Sequence, residues 1–166
     1  MGNFNSYLTA ILGIGIGATA IMDIWGFARK PLLGISPPNY CLMGRWFGHM
    51  PKGKFQHQSI SASHPVRGEC LIGWVVHYLT GIGFASILIV VWGLSWIHDP
   101  TLAPALAVGL GTLIAPFLLM QPGMGAGIAS ARTPKPGVAR IQSLITHLVF
   151  GLGLYVNGLI LDVISS

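Results

Sequence analysis

Four apolar stretches dominate the chain, at residues 7–28, 70–94, 101–121 and 141–161, separated by segments rich in polar, Gly and Pro residues. At about 1.5 Å of rise per residue, each is long enough as a helix to cross a hydrocarbon core of about 30 Å. Trp25, Trp74, Trp92 and Trp96 fall near the predicted helix ends, where amphipathic rings anchor at a membrane interface. The expected fold is an all-α integral membrane four-helix bundle, a single domain over residues 1–166.

Charge orients the bundle. All nine Lys and Arg residues lie in 29–67 or 132–140, within the loops 29–69 and 122–140. Basic loops are retained in the cytoplasm, so the expected topology is N-out and C-out, with the 95–100 connection outside. The first apolar stretch reads as a retained helix, because its positive charge follows the stretch instead of preceding it.

Composition agrees. Hydrophobic residues make up 52% and charged residues 8%, too few charges to coat a water-facing surface. The net charge of +5 abuts the spans throughout. It therefore points to an orientation signal and anionic lipid headgroups, with the bilayer as partner and no nucleic acid. Cys41 and Cys70 form no CxxC pair, and a reducing compartment predicts free thiols.

Two segments share a motif. His77-Tyr-Leu-Thr-Gly81-Ile-Gly83 and His147-Leu-Val-Phe-Gly151-Leu-Gly153 both read His-x-x-x-Gly-x-Gly. Gly15-Ile-Gly17 and Gly109-Leu-Gly111 sit at matching depth in the preceding runs. The chain is thus expected to be a helical hairpin used twice, a parallel pseudo-two-fold repeat. The glycines themselves are read as close helix contacts, since small residues let backbones approach in lipid.

In the first loop, Asn39 is placed to cap a short helix reaching Met50. Met43, Trp46, Phe47 and Met50 would share one face, a pattern expected of an interfacial helix, with Arg45, Trp46 and Phe47 at the lipid surface. Cys41, His49, His57, His64 and Cys70 match no known metal-ligand spacing. In the second loop, Gln121-Pro-Gly123-Met-Gly125-Ala-Gly127 should end the third helix in a flexible turn. Bare amides at Gly123, Gly125 and Gly127, helped by Arg132, would suit an anion or carbonyl. Asp99 before Pro100 is expected to cap the third span.

Ionisable groups inside lipid demand an account. Asp23, His77 and His147 are expected at about 9–12 Å from the cytoplasmic edge by helical rise, with Gln121 near them. Such residues usually face the bundle interior with a partner, and the simplest arrangement pairs Asp23 with a histidine. Three readings follow. The groups hold helices together in a structural, accessory or assembly component; they carry protons or a small solute in an oligomeric transporter; or His77 and His147 ligate a b-type haem or a metal. The first needs no cofactor. A homodimer or a membrane-complex partner suits so small a protein. No His-Glu-x-x-His, Gly-x-Ser-x-Gly or P-loop is present, and an enzyme is not expected.

Three segments carry a resemblance: Met43-Gly-Arg-Trp-Phe-Gly-His-Met-Pro-Lys-Gly-Lys54, Ala115-Pro-Phe-Leu-Leu-Met-Gln-Pro-Gly-Met-Gly-Ala-Gly127 with Ser130-Ala-Arg-Thr-Pro134, and Thr146-His-Leu-Val-Phe-Gly-Leu-Gly-Leu-Tyr155. Together they resemble a family of small bacterial inner-membrane proteins, domain of unknown function 2938. The resemblance implies a bacterial source and a cytoplasmic-membrane location. It brings no activity, cofactor or catalytic residue.

Overall fold

A computed structural model describes residues 2–165, and the described residues are all helix, turn and loop. In chain order the helices are α1 (Gly2–Leu33), α2 (Tyr40–His49), α3 (Glu69–Trp92), α4 (Ser95–His98), α5 (Leu102–Gly111), α6 (Gln121–Met124) and α7 (Pro136–Ser165). Four segments are long and apolar enough to cross a membrane: Phe4–Leu33, Glu69–Trp92, Leu102–Met124 and Pro136–Ile164. The protein is therefore a multi-pass membrane protein. α1 has 32 residues, about 48 Å of helix, longer than a hydrocarbon core is thick.

The third span is interrupted. Pro116 has no N–H to give the Thr112 carbonyl, and its ring crowds that carbonyl. The chain responds with a turn after α5, then a π-helical turn over Pro116–Met120 before α6. Asp99 also departs from expectation. It closes the short helix α4, and α5 starts one turn later, after an extended Thr101.

The chain divides into two compact units. The first comprises Met1–Pro37, Tyr78–Thr112 and Ile145–Ser166. Its core is one apolar cluster that includes Ile14, Ala18, Leu88, Ile89, Val108, Phe150 and Leu154. Trp96 is buried there, only 4% exposed, with its indole N–H given to the Thr101 carbonyl at 3.2 Å. Outward-facing Ile24 and Val90 are 67% and 75% exposed, the surface a lipid-solvated bundle presents.

Close helix contacts in this unit fall on several of the repeated glycines, Gly15 and Gly109 among them. A Cβ on Gly15 would lie 2.6 Å from Ile82 Cα and 3.2 Å from the Gly81 carbonyl. One on Gly109 would lie 2.7 Å from Gly151 Cα. Each crossing also carries a threonine whose hydroxyl donates back along its own helix: Thr19 to the Gly15 carbonyl at 2.7 Å, Thr112 to the Gly109 carbonyl at 2.6 Å.

The second unit comprises Pro38–His77 and Leu113–Leu144. Asn39 caps α2 as the sequence predicts, its side chain accepting from the Cys41 amide at 3.1 Å. The apolar face of α2 then meets protein. A Cβ on Gly44 would strike the Glu69 carbonyl, and one on Gly73 the Tyr40 carbonyl, so α2 and the start of α3 touch backbone to backbone. Arg45 gives its Nε and Nη2 to the two Glu69 oxygens at 2.9 and 2.7 Å, while Glu69 also accepts from the Val66 amide at 2.9 Å. Cys41 and Cys70 are joined in a disulfide, not free thiols. The fold-back of α2 brings together two residues 29 apart in sequence, which local spacing does not reveal.

Candidate functional site

The polar residues of the spans are placed helix by helix. In the first unit, Asp23 is buried on α1 and hydrogen-bonded to the Tyr78 phenol of α3. Arg29, read from the sequence as a loop cation, continues α1 and is buried with 6% exposure. Its Nη1 donates to Thr146 Oγ1 at 3.5 Å and its Nη2 to the Ser36 carbonyl at 3.3 Å. Tyr78 and Arg29 thus enter the polar set, although the sequence ranked neither as a partner.

His147 projects from α7 onto the α5 crossing. Its Nδ1 lies 2.8 Å from Thr112 Oγ1. The single hydroxyl proton of Thr112 is directed at the Gly109 carbonyl, so Thr112 can only accept from the ring. On that arrangement Nδ1 is the ring's donor to Thr112, and Nε2 is the ring nitrogen left over. A histidine held this way is suited to packing, to accepting a proton or to ligation through Nε2.

In the second unit, His77 lies under Tyr40, with ring centroids 4.0 Å apart and planes 24° apart. Trp74 meets both rings, at 4.6 Å from Tyr40 and 6.0 Å from His77. Gln121 opens α6 just beyond the π-helical turn. Its Nε2 donates to Ser143 Oγ at 3.5 Å, and its Oε1 is buried without a partner among the described residues.

The glycine turn after α6 serves chiefly as a seat for the first loop. The Gly123 and Met124 carbonyls accept from the His57 and Ile60 amides at 2.8 and 3.0 Å. The expected bare amides are partly spent, since Gly125 and Ala126 donate back to the Pro122 and Gln121 carbonyls. A Cβ on Gly125 would strike the Gln58 carbonyl, and one on Gly123 would enter the Trp46 ring. Beyond this seat, Gly127 and Arg132 line an open cleft of about 310 Å³ with Gln56, Pro122 and Ile128. Ala129 and Ser130 adopt left-handed φ values of 46° and 60°, a strain held by Arg140 Nε on the Ala129 carbonyl at 2.8 Å.

The family described as protein of unknown function (DUF2938) matches residues 12–161. The chain belongs to the DUF2938 family. Comparison with curated proteins and with solved structures returns no match.

Within this DUF2938 fold, the residues expected at the lipid interface also make contacts inside the chain. Trp46 is 8% exposed and gives its indole N–H to the Phe55 carbonyl at 2.8 Å, and Phe47 packs edge-on against it at 5.0 Å. Arg45 holds Glu69 and also donates to the Ser63 carbonyl at 3.0 Å. Its hydrogen bond to Glu69 raises an already high pKa, which keeps the guanidinium charged. An amphipathic stripe does not say whether its apolar face meets lipid or the chain itself.

Among the described residues of this DUF2938 protein, no three His, Cys, Asp or Glu converge as a metal cage. His49 Nε2 lies 3.0 Å from the His64 carbonyl, and His57 Nδ1 2.9 Å from Ser63 Oγ. The two rings pack at 5.1 Å. Burial and the neighbouring His49 hold the His57 pKa below its ordinary value, which favours a neutral ring.

Proposed function

We propose that this DUF2938 protein is an accessory or assembly component of the bacterial inner membrane, working beside a membrane partner. The supporting observation is where its intramembrane polar groups are spent. Asp23 of α1 is taken by Tyr78 of α3, His147 of α7 by Thr112 at the end of α5, and Arg29 of α1 by Thr146 of α7. Inside lipid, such bonds hold helices together where hydrophobic association is absent. The proposed topology is N-out and C-out, supported by the confinement of every Lys and Arg to the segments 29–67 and 132–140, which follow the first and third spans. The duplicated hairpin is supported by the matched crossings, Gly15 on Gly81 and Gly109 on Gly151, each with its back-bonded threonine.

One observation favours a second reading, transport by an oligomer. The third span is broken at Pro116, and Gln121 beside the break keeps a buried oxygen unpartnered among the described residues. Irregular backbone at membrane depth is common where a cavity or a substrate path is lined. Reconstitution decides between the two. Purified protein in liposomes, loaded with a pH-sensitive dye under an imposed proton gradient, is expected to leak no faster than empty vesicles. A proton flux removed by Asp23→Asn or His147→Gln would replace the accessory reading with the transport one.

A further inference from the structure

The connection from the end of α1 to the first turn of α3 carries two opposed signals. It holds most of the basic residues, which places it in the reducing cytoplasm on the orientation proposed above, and it holds a disulfide. The surroundings of the bond reconcile them. Cys70 is exposed at the first turn of α3, and Cys41 is half-buried at the first turn of α2. α2 is fastened a second time by the Arg45–Glu69 pair and by the Gly44 and Gly73 contacts. The two sulfurs therefore stay near each other when the bond is open. Tyr40, the residue before Cys41, covers His77.

We infer that Cys41 and Cys70 form a reversible thiol–disulfide site that locks α2 over His77 when a small-molecule disulfide oxidant is present. The exposed Cys70 thiolate attacks one sulfur of the oxidant, forming a mixed disulfide and releasing one thiol. Cys41 then attacks Cys70 and releases the second thiol. Two electrons pass from the two cysteine sulfurs to the oxidant, and their two protons leave with the released thiols. A dithiol reductant runs the same exchange backwards. In the oxidised state the 29-residue connection is closed covalently, and α2 cannot lift from α3. In the reduced state non-covalent contacts alone hold it, so α2 opens more often and His77 is uncovered.

The test is made on the full-length protein in its native membranes. Untreated cells are alkylated with membrane-permeant N-ethylmaleimide or with an impermeant sulfonated maleimide, and the modified thiols are counted by mass. Both thiols are expected to react with the permeant reagent only, to be protected after diamide, which converts the cell's small thiols to the disulfides that exchange with Cys70, and to return with dithiothreitol. Purified oxidised protein treated with dithiothreitol should then show hydrogen exchange of the α2 amides accelerated by roughly a hundredfold, the size a loop-closing bond commonly controls.

A Cys70→Ser protein should exchange at the reduced rate in both conditions. Thiols still reactive after diamide, a bond already complete in untreated cells, or unchanged α2 exchange would each overturn the inference. Labelling by the impermeant reagent would instead reject the inward orientation. The diamide and dithiothreitol arms decide reversibility in either case.

Discussion

Trp46→Ala is expected to detach the first loop from the glycine turn, at a cost of about 3–5 kcal/mol, the range for removing a buried indole. The ring is 8% exposed, lies on Gly123 and ties the Phe55 carbonyl through its N–H. Gly123 offers no side chain to refill the space, and its carbonyl is committed to the His57 amide. Trp46→Phe separates the ring from the hydrogen bond and should cost only about 1 kcal/mol plus the lost ring volume. Denaturant titration of the detergent-solubilised protein, with hydrogen exchange over residues 50–68, measures both. Wild-type stability in the alanine variant would mean that the indole is not the anchor of this loop.

The second large effect lies at the α5–α7 crossing. Gly109→Ala is expected to destabilise by about 1–3 kcal/mol, the usual range for overpacking. Its Cβ would stand 2.7 Å from both Gly151 Cα and the His147 carbonyl, and backbone cannot swing aside as a side chain can. The control is built into the sequence. Gly111, two residues on, has nothing within 4 Å of its Cβ position. Gly111→Ala should therefore stay within about 0.5 kcal/mol of wild type. Thermal melting in one detergent compares the pair. Equal melting temperatures for both variants would contradict a glycine crossing at position 109.

The spans were legible because each is a long, predominantly apolar run, and hydropathy is insensitive to which neighbour a helix meets. Their ends were not. α1 runs on through Arg29 and Lys30, and α7 begins at Pro136, where polar residues continue the helix without marking it. Asn39 announced α2 through cap chemistry confined to neighbouring residues. The disulfide stayed hidden because it depends on a fold-back of α2, set by Gly44 and Gly73, which a helical periodicity does not encode. For the polar residues, position was readable and partnership was not. Asp23, His77 and His147 are conspicuous in apolar sequence, whereas Tyr78, Tyr40 and Thr112 look like ordinary span or loop residues until neighbouring helices bring them close.

That intramembrane polar groups are spent on packing is tested most directly by a melting cycle on one such pair. Wild type, Thr112→Val, His147→Leu and the double variant are melted under identical conditions in lipid nanodiscs. Removing the hydroxyl leaves the Nδ1 proton of His147 without its Thr112 acceptor, so each single change should cost about 1–2 kcal/mol. The double variant removes donor and acceptor together. It should melt well above the temperature that additive losses give, with a coupling of about 1 kcal/mol. Strictly additive losses, or a Thr112→Val protein as stable as wild type, would contradict the packing role and leave His147 to be explained by a site.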